Sequence, residues 1–156
     1  MKILFVCTGN TCRSPLAEAI ARKVAIERGL SDVDVASAGT SAWDGAAASD
    51  GAMLVGLERR LDLGSHRSQQ LTRALVESAD LVLTMGPHHL ERVEALGAGD
   101  KAFLLTAYPN RHAAGRAVSD PMGGDLDVYR ATADELEAEI RRVFDRLAAE
   151  RVPDTE

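Results

Sequence analysis

The chain has 156 residues, 46% of them hydrophobic, which is enough for one domain with a real buried core. Its formal net charge of -6 argues against nucleic-acid binding, since domains of that kind carry a basic patch to neutralise phosphates. No stretch approaches the roughly 20 apolar residues of a membrane-spanning helix, and "MKILFVC" lacks a signal-peptide core and cleavage site, so a soluble cytoplasmic protein is expected.

"KILFV" (Lys2 to Val6) predicts a buried parallel strand, a short apolar run with β-branched and aromatic members. From Ser14 the period changes to helical. Leu16, Ile20 and Val24 recur with Ala17 and Ala21 beside them, Ser14 and Pro15 read as N-cap and first helical residue, and Gly29 reads as the stop. "VDVAS" (Val33 to Ser37) is a second strand, and Ala47 to Leu61 a second helix with Met53, Leu54 and Leu57 on its buried side. "ADLVLTM" (Ala79 to Met85) is the third strand, Pro87 to Leu96 a short helix, and "KAFLL" (Lys101 to Leu105) the fourth strand. A long helix opens at the capping-box pattern Thr132-Ala133-Asp134-Glu135 and runs through Leu136, Ile140, Val143, Phe144 and Leu147.

Strands alternating with helices predict a single-domain, three-layer α/β sandwich: a four-stranded parallel sheet with right-handed crossovers, flanked by helices on both faces. The domain spans residues 1–150 and leaves a polar tail over 151–156. Ligands of open parallel sheets sit beyond the carboxyl ends of the strands, and "CTGNTCRS" (Cys7 to Ser14) lies at the end of the first.

Three readings of that stretch compete. As a metal clip, Cys7 and Cys12 supply only two thiolates, with no second cysteine pair and no histidine nearer than His66. As a plain strand-to-helix turn, Gly9 and Asn10 serve the backbone and the cysteines pack as small hydrophobes, but this leaves Cys7, Arg13 and Ser14 unexplained together. As an anion cradle, the backbone N–H groups from Thr8 to Ser14 bind oxygens at a helix N-terminus, and Arg13 adds a planar fork matched to a phosphoryl group. The same positive surroundings favour the thiolate of Cys7. Phosphoryl transfer to sulfur then needs a proton donor for the leaving group, and Asp120 in "VSDPMGGD" offers one, held extended by Pro121 and followed by Gly123 and Gly124.

Cys7-Thr8-Gly9-Asn10-Thr11-Cys12-Arg13-Ser14-Pro15, followed by "LAEAI", resembles the low-molecular-weight protein tyrosine phosphatase family. "SAGTSAW", "HRSQQLT", "ADLVLTM" and Asp120-Pro121 follow in the family's order, so the likeness covers nearly the whole chain. The resemblance implies a two-step hydrolysis. Cys7 forms a phosphocysteine, Arg13 steadies the transition state, and Asp120 protonates the leaving group and then activates water. It further implies that Ser14 bonds the Cys7 thiolate and that Asn10 holds the loop's shape through Ser37 and His66; apart from the resemblance, His66 reads as a surface or helix-flanking histidine. It implies no metal and no organic cofactor, phosphorylated proteins as substrates, and oxyanions such as phosphate and vanadate as ligands.

Substrate choice rests on smaller features. Thr11 resembles the family's bacterial arginine-directed branch, where a hydroxyl can orient water or meet a guanidinium, and Met122 departs from the aromatic residues that follow Asp-Pro in tyrosine-directed members. Trp43 matches a tryptophan that stacks on phenyl rings in those members, although its face also accepts a guanidinium. Phosphoarginine is therefore the favoured substrate and phosphotyrosine the alternative. Cys12 is implied to form a reversible disulfide with Cys7 that shields the nucleophile. Two remoter alternatives share the fold: a phosphocysteine carrier, which needs neither Arg13 nor a general acid, and an arsenate reductase, which needs cysteines beyond Cys12.

Overall fold

The apolar run after Met1 forms β1 (Lys2–Cys7), and its alternate side chains enter two different cores. Ile3, Phe5 and Cys7 join the larger core with α1 (Arg13–Glu27), α2 (Asp50–Glu58) and α5 (Leu126–Arg151). Leu4 and Val6 join the smaller one with α3 (Arg73–Ser78) and α4 (Pro87–Ala95). A strand covered on both faces has no side to spare for polar residues, hence its unbroken apolar run. With β2 (Asp34–Gly39), β3 (Leu81–Thr84) and β4 (Ala102–Leu104) it builds a parallel sheet of order β2-β1-β3-β4. The structure, a computed structural model, describes residues 1–109 and 115–151.

The strand order places β1 and β3 side by side at the centre, with Cys7 opposite Gly39 and Val6 opposite Thr84. The chain leaves β1 to one side and β3 to the other, so the loop after Cys7 lies where the order reverses, the usual ligand position in such sheets. Among the described residues no helix is long and apolar enough to cross a membrane.

Several boundaries differ from expectation for identifiable reasons. Helix α1 starts at Arg13, with Cys12 at the N-cap, so Ser14 is a buried residue of the first turn rather than the cap. Gly29 does stop it: φ is 68°, the Gly29 N–H bonds Ile26 O at 3.1 Å, and the Leu30 N–H bonds Ala25 O at 2.8 Å. Helix α2 is shorter than Ala47 to Leu61 and is capped by Ser49, whose hydroxyl accepts from the Ala52 N–H. It buries Ala52, Val55 and Gly56, while Leu54 and Leu57 are exposed and Met53 half-buried.

Close approach explains that reversal of faces. A Cβ on Gly51 would stand 2.5 Å from the Tyr129 ring, and one on Gly56 would stand 2.7 Å from Leu63, so the helix packs closest at its two glycines rather than at its largest residues. Helix α5 begins at Leu126, where Asp125 Oδ1 accepts from the Val128 N–H at 3.1 Å. The capping-box reading at Thr132 is therefore wrong: Thr132 lies inside the helix, and its hydroxyl is buried without a hydrogen-bond partner among the described residues. The helix takes in Arg151, the first residue of the expected tail; the rest of that tail, 152–156, lies outside the described residues.

Candidate active site

Gly39 ends β2 beside Cys7, and a Cβ there would stand 2.4 Å from the Thr8 carbonyl oxygen, so the two chains approach as only glycine allows. Pairing continues past the strands, from the Thr40 N–H to Cys7 O and from the Ser41 N–H to Thr8 O, both at 2.9 Å. The chain then turns at Asn10 in the left-handed region, φ 57°, a conformation costly for a side-chain-bearing residue.

Asn10 is fully buried and every polar group it has is engaged. Its N–H donates to Cys7 Sγ at 3.3 Å, and its Nδ2 donates to Ser14 Oγ at 2.8 Å and to Ser37 Oγ at 2.9 Å. Its Oδ1 accepts from the Gln69 N–H at 2.9 Å, and its carbonyl accepts from His66 Nε2 at 2.8 Å. Ser37 in turn donates to Glu18 Oε1 at 2.6 Å. The bent backbone is thus held from both sides.

The direction of these bonds matters at sulfur. Because Ser14 Oγ accepts from Asn10, its own proton is free to turn to Cys7 Sγ, 2.8 Å away. Two donors then converge on the sulfur, which acts as acceptor, a role a thiolate fills better than a thiol. Among the described residues, the backbone N–H groups of Gly9, Thr11, Cys12, Arg13 and Ser14 find no protein acceptor. They are available to an anion at the start of α1.

Arg13 is only 7% exposed. Its Nη1 donates to Val118 O at 2.9 Å, and its Nη2 lies 3.6 Å from Asp120 Oδ2. Val118 is itself tied to the end of β3, its N–H bonding Met85 O at 2.8 Å. A residue 107 positions further on is thus brought to the loop after β1 by backbone pairing and one guanidinium. Asp120 remains half exposed, and its Oδ1 accepts from the Met122 N–H at 3.0 Å, which closes a tight turn.

The proposed specificity residues are accessible: Trp43 is 85% exposed and Met122 62%. Thr11 is half-buried, and its hydroxyl has one long contact, 3.9 Å, to Cys12 Sγ. Cys7 and Cys12 are both free and buried. Cys12 Sγ donates to Ser49 Oγ at 3.4 Å and lies 3.4 Å from the Tyr129 hydroxyl, which burial holds above the usual tyrosine range. Among the described residues no cluster of three or more His, Cys, Asp or Glu side chains is arranged to hold a metal ion.

Sequence reasoning missed Glu18, Gln69, Ser49, Tyr129 and His89. His89 is the third residue of α4, and its Nε2 lies 2.9 Å from Thr8 Oγ1. Burial, reinforced by the nearby Arg13 and His88 charges and opposed by Asp120, pushes its pKa down to about 4, so the ring is neutral at pH 7. Its only sequence signal is position, just past the carboxyl end of a predicted central strand.

Comparison with known proteins agrees with this architecture. The family described as low molecular weight phosphotyrosine protein phosphatase matches residues 2–152. A protein-arginine-phosphatase of Bacillus subtilis is 42% identical over 154 residues, covering 97% of this chain and 99% of that protein. The low molecular weight protein-tyrosine-phosphatase PtpB of Staphylococcus haemolyticus is 36% identical, covering 87% and 92%. Among solved structures, a YwlE arginine phosphatase described as a C7S mutant with phosphorylated active site serine superposes with a TM-score of 0.88 at 42% identity, covering 97% of this chain and 98% of that one.

Proposed function

Because the chain belongs to the low molecular weight phosphotyrosine protein phosphatase family, we propose that it hydrolyses phosphorylated protein side chains through a phosphocysteine at Cys7, with phosphoarginine as its preferred substrate. The Cys7 thiolate attacks phosphorus while Asp120 protonates the departing group. Arg13 and the free loop amides bind the equatorial oxygens, where charge is greatest in the transition state. Water then attacks the phosphocysteine, Asp120 takes its proton, and phosphate leaves with the thiolate restored. Ser14 and Asn10 support the sulfur, and Ser37 and His66 support Asn10.

The observation that carries this reading is the convergence on one sulfur of the Asn10 N–H at 3.3 Å and Ser14 Oγ at 2.8 Å, with a near-buried arginine linked to Asp120 at 3.6 Å. The phosphorylated active-site serine of the C7S YwlE relative supports the same order of events. Cys7→Ser is expected to abolish turnover while phosphate and vanadate still bind, and a variant that retained turnover would refute the covalent route. The requirement for a free thiolate suits a reducing compartment, so we assign the enzyme to the cytoplasm.

Phosphoarginine is favoured by the full-length similarity to the Bacillus protein-arginine-phosphatase and by Thr11, whose hydroxyl makes only a long contact to Cys12 Sγ and can turn to a polar guanidinium or a water. Phosphotyrosine is the second reading, favoured by the open indole face of Trp43. Comparing kcat/KM on phosphoarginine and phosphotyrosine peptides decides between them. The wild type is expected to prefer phosphoarginine, and Thr11→Ile to shift the ratio toward phosphotyrosine; an unchanged ratio would remove Thr11 from specificity. For Cys12 we propose a guard role through a disulfide with Cys7. Dithiothreitol should then restore peroxide-treated wild type better than peroxide-treated Cys12→Ser, and equal recovery would contradict it.

A further inference from the structure

His89 is 4% exposed, and nothing in the reaction above employs it. Its Nε2 meets the Thr8 hydroxyl at 2.9 Å, while its Nδ1 is buried with no hydrogen-bond partner among the described residues and faces Gly86, where an added Cβ would stand 3.5 Å away. A neutral imidazole carries one N–H, so one of two arrangements holds. With the proton on Nδ1, a buried donor would go unsatisfied, a rare and costly state; with the proton on Nε2, only an acceptor lone pair does.

We propose that His89 is a positioning residue whose Nε2–H bonds the Thr8 oxygen, leaving the Thr8 proton to donate to a phosphoryl oxygen of the substrate. The inference deepens the phosphatase reading and rests on it. Thr8 follows the nucleophile directly, is exposed at the mouth of the loop, and has no hydrogen-bond partner for its side chain other than His89 among the described residues. Accepting a bond from the ring also polarises the hydroxyl, which strengthens it as a donor. The neighbouring Arg13 charge opposes an imidazolium and so helps keep the ring in the neutral form this arrangement needs. The cradle thereby gains a side-chain donor, set by a helix on the opposite face of the sheet from α1.

The test uses para-nitrophenyl phosphate as substrate, with correct folding of each variant checked by circular dichroism. Thr8→Val and His89→Leu should each lower kcat about tenfold with KM within about twofold, because the donor acts on charge that grows in the transition state. The double variant should lose no more than either single one, and Thr8→Ser and His89→Gln, which keep a hydroxyl and a donor near Nε2, should recover most of the activity. Independent losses, or a wild-type kcat in Thr8→Val, would overturn the pairing. Should His89→Leu fail to fold, ¹⁵N NMR of wild-type His89 decides instead: the Nε2–H tautomer is expected, and the Nδ1–H tautomer would refute the proposal. Turnover by Cys7→Ser would count against the phosphatase reading alone, since the tautomer is measured without it.

Discussion

Asn10 shows how one side chain can set a reactive site. It holds a left-handed backbone and spends all its polar groups on Cys7, Ser14, Ser37, Gln69 and His66. Asn10→Gly keeps the backbone freedom and loses the side-chain bonds, whereas Asn10→Ala loses both. Urea unfolding should therefore place Asn10→Ala about 1 kcal/mol below Asn10→Gly and well below wild type; equal stability of the two would mean the positive φ carries no strain. His89 brings a pH dependence of its own. Its pKa is about 4 in the fold against 6.5 when unfolded, because of burial, Arg13 and His88, with Asp120 opposing. Between those values the unfolded chain binds more protons, so this contribution is complete above about pH 6.5 and is lost as pH falls toward 4, to an extent of about 3 kcal/mol. Wild type should lose more stability from pH 7 to 4.5 than His89→Gln does, and identical losses would contradict the assignment. Cys7, Arg13 and Ser14 could be found in the sequence because their chemistry falls within eight consecutive residues. His89 could not, since its partner Thr8 is 81 positions away and no spacing rule links them.

At the scale of elements, hydrophobic period located the strands and most helices but misjudged a face and a start. The packed side of α2 is read wrongly if size is equated with burial, because Tyr129 and Leu63 press on Gly51 and Gly56 and leave Leu54 and Leu57 outside. Thermal or urea unfolding should show Leu57→Ala within about 0.5 kcal/mol of wild type and Val55→Ala losing about 2 kcal/mol. The reverse ranking would restore the sequence-based face. The start of α5 was missed because Thr-x-x-Glu also fits inside a helix whose stripe of Leu126, Tyr129, Ala133 and Leu136 begins upstream. Helix α3, six residues capped by Thr72 over the Leu75 N–H, is too short to show a period at all.

Across the whole molecule, alternation of strands and helices was enough to name a parallel α/β sandwich, but nothing local encodes the order β2-β1-β3-β4. That order decides which distant segments meet the loop after β1: Ser37 and Gly39 from β2, Gln69 beyond it, Met85 just past β3 and His89 from α4, and through Val118 the Asp120 turn. We propose that Cys7, the loop amides with Arg13, and Asp120 act there in sequence as nucleophile, anion cradle and acid through a covalent intermediate. Stopped-flow release of nitrophenolate from para-nitrophenyl phosphate by Asp120→Ala tests it most directly. The good leaving group departs without an acid, while the second step still lacks its base. A burst of one nitrophenolate per active site is expected, followed by turnover slowed about 10²–10⁴-fold, and no burst once Cys7→Ser is added. A linear, burst-free course in Asp120→Ala, or turnover that survives Cys7→Ser, would contradict it.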